Sequence, residues 1–317
     1  MAIETVSPRP ILSMMDEKFT PPKGLDMGEA KFIDVDGIRT RYFDQGAGER
    51  IVFFHGGNLG DAGGTSTARV WELNFIPLSK HFNTISVERL GQAYTDIPKT
   101  DDGYTMHASV QHAAAFLRTL GKAPYHIVGH SRGGYVVCRM AMEYPELVKS
   151  CTIVSSGSLS PGQPRTHLVM QNAPVPKISR QAVRWHFERY SYNIKIVTEE
   201  WMDELMSAAA LEKNQIAIHK MNKEGLLNKL FLPGLVKQRT ETHRWLLERG
   251  MPCPTLVTWG YNDPTADLEN GKLLIEVLMK KQRHTEVRLF NRSGHFVYRE
   301  HPEAFSRMIY KFVKQYS

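Results

Sequence analysis

The sequence predicts an α/β fold: a mostly parallel central sheet flanked by helices, with a helical insertion. Three observations point to it. Short, continuous apolar runs alternate with helical stretches from residue 50 onward. The alternation lapses between residues 160 and 248, where helical periodicity rich in Met and aromatic residues takes over. It then resumes to the end of the chain.

The elements follow in order. Residues 30–46, AKFIDVDGIRTRYFDQG, alternate apolar and polar positions on both sides of Asp36-Gly37, a hairpin-turn signal, so an antiparallel pair opens the fold. RIVFFHG (50–56), FNTISVER (82–89), YHIVGH (125–130) and SCTIVSSG (150–157) read as strands buried on both faces of a parallel sheet. Residues 105–121 and 133–148 are helical between them. After the insert, PTLVTWG (254–260) and TEVRLFN (285–291) return as strands around the helix DLENGKLLIEVLMKK, and PEAFSRMIYKFVKQ closes the chain as an amphipathic helix. This divides the chain into an irregular, Pro-rich N-terminal arm (1–29), a first core segment (30–159), a helical lid (160–248) and a second core segment (249–317).

Composition narrows the function classes. Hydrophobic residues at 42% and charged residues at 23% describe a soluble globular chain. No apolar run approaches the ~18 residues that span a bilayer. Residues 1–30 lack a charged segment followed by an apolar one, so no signal peptide is expected and the chain is read as cytoplasmic. Cys138, Cys151 and Cys253 have no metal spacing, and an odd count argues against a disulfide framework. The formal charge of +7 is scattered without a basic, aromatic-interleaved stripe, which argues against nucleic-acid binding; a solvated surface is the plainer explanation of the excess, and help in drawing in small anionic substrates the other.

The chemistry centres on Gly129-His130-Ser131-Arg132-Gly133-Gly134, where a strand turns abruptly into a helix. Small residues at −2, +2 and +3 from Ser131 let backbones approach where side chains would clash, and strained dihedrals present the hydroxyl. A tight turn with a capping serine is the plainer reading, so Ser131 needs partners. A base is expected just after the last strand, where NRSGHFVYREHPEAF places His295; His301, beside Pro302, reads as the start of the last helix. An acid to orient the imidazole is expected after the penultimate strand, where Asp263 precedes Asp267, a residue placed to cap the next helix. The glycine-rich FFHGGNLGDAGG (53–64) supplies a second oxyanion donor, so the backbone N–H groups of Gly57 and Arg132 are the expected pair. A phosphate loop is the alternative, and the Gly-Lys-Ser/Thr ending it requires is missing. His55 is expected to brace this loop.

Together these stretches resemble the α/β-hydrolase superfamily over residues 30–317, in the order Ser131, Asp263, His295. Within it the chain resembles the meta-cleavage product hydrolases, serine-dependent carbon–carbon bond hydrolases of aromatic catabolism. HGGNLGDAGG resembles their oxyanion loop, RLGQAYTD (89–96) the segment after the next strand, TWGYNDPTADLENGKLL their acid loop and SGHFVYREHPEAFSR their histidine loop; YSYNIKIVTEEWMDEL is similar to their lid. The resemblance implies a cofactor-independent and metal-free serine hydrolase acting on an anionic 2-hydroxy-6-oxo-dienoate through an acyl-enzyme. Esters, lactones and thioesters fit the same motif, and a non-catalytic ligand receptor is a rival of another class.

The departures from that family lie around the site. The family has Asn and Met flanking the nucleophile, where this chain has His130 and Arg132; its Trp after the catalytic His is Phe296 here. The lid stretch where the family carries a carboxylate-binding Arg reads ELMSAA. Arg184, Arg189 or Arg132 is expected to replace it, and His130, Asn58 and Phe296 are further candidate substrate contacts. A homodimer is left open, with the N-terminal arm and the insert as its candidate surfaces.

Overall fold

The computed structural model describes residues 20, 23–60, 62–163 and 166–317, so most of the expected N-terminal arm lies outside the described residues. Eight strands form one sheet: β1 (Lys31–Val35), β2 (Ile38–Gln45), β3 (Arg50–Phe54), β4 (Asn83–Val87), β5 (Tyr125–His130), β6 (Val148–Val154), β7 (Thr255–Gly260) and β8 (Thr285–Phe290). Their order across the sheet is β1-β2-β4-β3-β5-β6-β7-β8. β2 runs antiparallel to both neighbours, and every pairing from β4 to β8 is parallel. The β1–β2 turn sits at Asp36 (φ 53°) and Gly37 (φ 78°), two consecutive positive values that match the right-handed twist of a hairpin.

The side-chain period of two divides the core. Val52 and Phe54 of β3 point into one apolar cluster while Ile51 and Phe53 point into the other. The first cluster lies under α2 (Met106–Leu120), α3 (Arg132–Glu143) and α9 (Leu268–Met279); the second lies under α1 (Glu72–Ser79) and α11 (Pro302–Gln315). Cys138, Cys151 and Cys253 are buried as free thiols in the first cluster, and burial pushes Cys138 and Cys253 up to about 12, which keeps them protonated and inert.

Between β6 and β7 the chain makes only helices among the described residues: α4 (Thr166–Val169), α5 (Arg180–Tyr190), α6 (Glu199–Ala209), α7 (Glu212–Asn222) and α8 (Leu232–Arg249), which a π-helical turn at Leu227–Phe231 leads into. Serine and threonine caps start two of them: Ser179 Oγ accepts from Ala182 N at 3.1 Å, and Thr198 Oγ1 from Trp201 N at 3.2 Å. A short α10 (Val297–Glu300) precedes α11. Among the described residues no helix is long and apolar enough to cross a membrane.

Candidate active site

Ser131 occupies the corner between β5 and α3 with φ 54° and ψ −117°, a left-handed conformation costly for any residue with a Cβ. The surrounding contacts enforce it. A Cβ on Gly129 would collide with the carbonyl of Gly133, and one on Gly133 would collide with the carbonyl of Phe54. Only glycine lets β5, β3 and α3 approach this closely. The Ser131 N–H donates to Val154 O at 2.8 Å, and the Ser156 hydroxyl donates to Ser131 O at 2.7 Å, so the corner is tied to the end of β6 and to the turn just after it.

His295 and Asp263 come from the loops after β8 and β7. His295 Nδ1 lies 2.7 Å from Asp263 Oδ2, with both side chains buried. Asp263 Oδ1 accepts from Thr265 N and Ala266 N, each at 2.9 Å, and from Thr265 Oγ1 at 3.1 Å. With the carboxylate fixed as an acceptor, the His295 proton belongs on Nδ1, which leaves Nε2 with a lone pair able to take a proton. Asp267 caps α9, its Oδ1 accepting from Asn270 N at 3.1 Å, and His301 turns outward to Arg292 O at 3.2 Å. Asp263 and His295 thus meet each other, while Asp267 and His301 make contacts elsewhere.

The His295 loop is braced from two directions. His295 N–H donates to Tyr190 O of the insert at 2.8 Å. Glu300, buried, accepts from Tyr192 N, Asn193 N, Gly294 N and Ser293 Oγ, so one carboxylate joins the insert to the histidine loop. Burial pushes that carboxyl up to about 7 while the donors pull it down.

The glycine loop after β3 is held by Arg89. Its Nη2 donates to Gly56 O at 3.0 Å and to Gly57 O at 2.5 Å; its backbone N–H donates to His55 Nε2 at 3.1 Å. His55 therefore carries its proton on Nδ1 and donates it to Gly56 O at 2.8 Å. Burial and the Arg89 charge press this imidazole down to about 3, so it braces the loop as a neutral group. On a planar trans peptide, holding Gly56 O toward Arg89 turns the Gly57 N–H the other way. Gly57, at φ 89°, and Arg132 line the cavity that Ser131 and His295 also line.

That cavity measures about 280 Å³ and lies between the sheet's loops and the insert. Phe187, Leu232, Leu235 and Val236 supply its apolar wall; among the described residues Arg132 and Arg239 line it, and no Asp or Glu does. Such a lining favours a partly apolar anion. Asn58 and Phe296 also line it, and Asn58 Oδ1 is buried without a hydrogen-bond partner among the described residues. Among those residues no cluster of His, Cys, Asp or Glu could hold a metal ion.

A family model for the alpha/beta hydrolase fold matches residues 49–302. The chain belongs to the α/β hydrolases. Among curated relatives of this hydrolase, the 2-hydroxy-6-oxo-6-(2'-aminophenyl)hexa-2,4-dienoic acid hydrolase of Metapseudomonas resinovorans is 23% identical, over 90% of this chain and 91% of the relative. The 2-hydroxy-6-oxononadienedioate/2-hydroxy-6-oxononatrienedioate hydrolase of Cupriavidus pinatubonensis is 27% identical, over 91% and 96%. In fold it is similar to a meta-cleavage product hydrolase from Pseudomonas fluorescens IP01, with a TM-score of 0.74 and 22% identity over 90% of this chain and 98% of that one.

Of the expected substrate contacts of this α/β hydrolase, Arg184 and Arg189 fall away from the cavity, and His130 lines it with its nitrogens engaged. Arg184 faces away from the cavity and pairs with Glu188, Glu199 and Val197 O. Arg189 lies exposed over the Trp185 ring, 5.2 Å from its centroid. His130 reaches the cavity's edge but spends both nitrogens on protein: Nε2 donates to His295 O at 2.9 Å, and Nδ1 accepts from Tyr298 Oη at 3.3 Å. Burial, with His295 beside it, holds its pKa well below the usual imidazole value, so it positions the His295 backbone as a neutral group. The sequence reading missed Arg239 and His186, both cavity-lining. Helical phase is the signal that finds them. Ala182, Val183, His186, Phe187 and Tyr190 share one face of α5, with Arg184 opposite it and Arg189 at its margin, turned out over Trp185; Leu232, Leu235, Val236 and Arg239 share one face of α8.

Proposed function

We propose that this α/β hydrolase is a cofactor-independent serine hydrolase that cleaves a carbon–carbon bond of a 2-hydroxy-6-oxo-dienoate, the substrate type named for its curated relatives. One observation carries the reading: Ser131 and the Asp263-paired His295 open into a single cavity that, among the described residues, is lined by two arginines and no carboxylate. Residues 160–248 act as the lid over it, between core segments 30–159 and 249–317.

His295, oriented by Asp263, first helps move the enol proton so that the dienol becomes a ketone, with the new C–H formed next to the distal carbonyl. Ser131 Oγ then adds to that carbonyl as His295 Nε2 takes its proton. The N–H groups of Gly57 and Arg132 hold the resulting oxyanion. Collapse of the adduct breaks the carbon–carbon bond; its electron pair is stabilised as an enolate and protonated, and an acyl group stays on Ser131. Water, deprotonated by His295, releases the acid. Arg239 and the Arg132 side chain supply positive charge for the substrate carboxylate.

Ester and lactone hydrolysis needs the same residues without the first proton transfer. A panel of chromogenic ring-fission dienoates and p-nitrophenyl esters separates the two. Dienoate turnover is expected to dominate; efficient ester cleavage with no dienoate turnover would sink the carbon–carbon reading.

A further inference from the structure

His186 is among the polar side chains of the cavity that have no task in the mechanism above. His186, on the inner face of α5, lines the cavity and is 6% exposed. Its ring is held in place by stacking on Tyr190, with centroids 4.2 Å apart and planes at 30°, and by Phe187 at 5.3 Å. Tyr190 in turn meets the His295 ring edge-on at 5.3 Å. The imidazole is thus one aromatic ring away from the reacting histidine.

Its hydrogen-bonding capacity is unspent. Nδ1 is buried and has no partner among the described residues, which costs about 1–3 kcal/mol if nothing satisfies the ring. His130, also buried in this site, uses both of its nitrogens. Burial, and then the nearby His295, presses His186 down to about 3, so the ring is neutral at any working pH. A neutral imidazole offers one N–H donor and one acceptor nitrogen. It matches a ketone carbonyl or a hydroxyl, and it has no charge to offer a carboxylate, which the arginines attract instead.

We propose that His186 is a substrate-binding residue of the lid, whose imidazole hydrogen-bonds an uncharged oxygen, keto or enol, of the molecule held under α5. This rests on the reading of the cavity as the substrate site. It adds that the lid recognises a neutral oxygen as well as an anion, so selectivity is shared between α5 and α8.

The test uses binding, so that it does not depend on turnover. Ser131→Ala protein, with and without His186→Phe or His186→Gln, is titrated with two ligands. One is 2-hydroxy-6-oxo-6-phenylhexa-2,4-dienoate; the other is 6-phenylhexa-2,4-dienoate, which keeps the carboxylate and chain but lacks both oxygens. His186→Phe is expected to weaken the oxygenated ligand about tenfold and the deoxygenated one by less than about twofold, the loss of one hydrogen bond. His186→Gln should recover part of the difference. Equal losses on both ligands indicate a packing role and overturn the proposal, as do no loss on either and no binding of either. Turnover of the oxygenated dienoate by protein with Ser131 intact is read separately. Its absence, with the binding difference preserved, would remove the carbon–carbon hydrolase reading and leave the His186 contact standing.

Discussion

The nucleophile corner and the lid hold their side chains by different physical means. At Ser131 the backbone itself is constrained: β5, β3 and α3 pack so closely that Gly129 and Gly133 admit no Cβ, and the carbonyl of Ser131 is tied to Ser156. In the lid, a residue reaches the cavity only because its helix is rotated that way. His186 and Arg239 face in; Arg184 and Arg189, on the same stretch of helix as His186, face out to Glu199 and Trp185. In the proposed reading, chemistry sits on the rigid corner and selectivity on lid surfaces that can vary without disturbing it.

The sharpest way to break this contrast is to remove the proposed nucleophile. Ser131→Ala should lower kcat at least about 10³-fold while ligand affinity, measured by titration, stays close to that of the parent. Loss of binding together with turnover would show that the corner also shapes the lid's surface.

Acid should come next, acting on the core. Burial lowers His55 to about 3, His112 and His126 to about 4, and His130 well below the ordinary value. An imidazole with a depressed folded pKa is protonated first in the unfolded chain. Stability is therefore intact above about 6.5 and is lost as the pH falls toward 4, at up to about 1.4 kcal/mol per unit for each group. Glu88 and Glu300, which burial pushes up to about 7, act the other way, adding stability as the pH falls from 7 toward 4.5. With His186, also pressed down to about 3, these five histidines outweigh two glutamates, so the urea midpoint should drop between pH 6.5 and 4.5. A flat or rising midpoint would contradict the neutral assignments.

Gly133→Ala is expected to destabilise the fold by about 1–3 kcal/mol or more, read as a lower urea midpoint, because the added methyl meets backbone that cannot move. The smallest effects belong to the lid. Arg239→Gln should raise KM for an anionic dienoate about tenfold with kcat little changed, whereas Arg184→Gln should leave both within about twofold. Reversed roles for these two arginines would overturn the inward and outward faces assigned to the helices.

Much of the core site was legible because it is written in local backbone geometry. The order of apolar runs gave the strands, and small residues at fixed offsets from Ser131 marked the corner. The ends of the last two strands pointed to Asp263 and His295, which meet at 2.7 Å. The lid was less legible for a physical reason. Its helices announce themselves by composition and caps, but which face meets the cavity depends on how α5 and α8 pack. Residues chosen by charge alone, Arg184 and Arg189, therefore fell on the wrong side. His130 shows a further limit: its neighbour in sequence is the nucleophile, yet its nitrogens serve Tyr298 and the His295 backbone, 165 residues away in the chain.

By itself the sequence determined the alternation of strand and helix, the crowded corner around Ser131 and the strand-end loops that carry Asp263 and His295. Each of these follows from residue type and short-range spacing. Only the tertiary structure decided which charges and imidazoles line the cavity, which are spent on protein, and how Glu300 joins the insert to the histidine loop. Those depend on long-range packing, where one helical step of rotation exchanges a solvated arginine for a buried histidine.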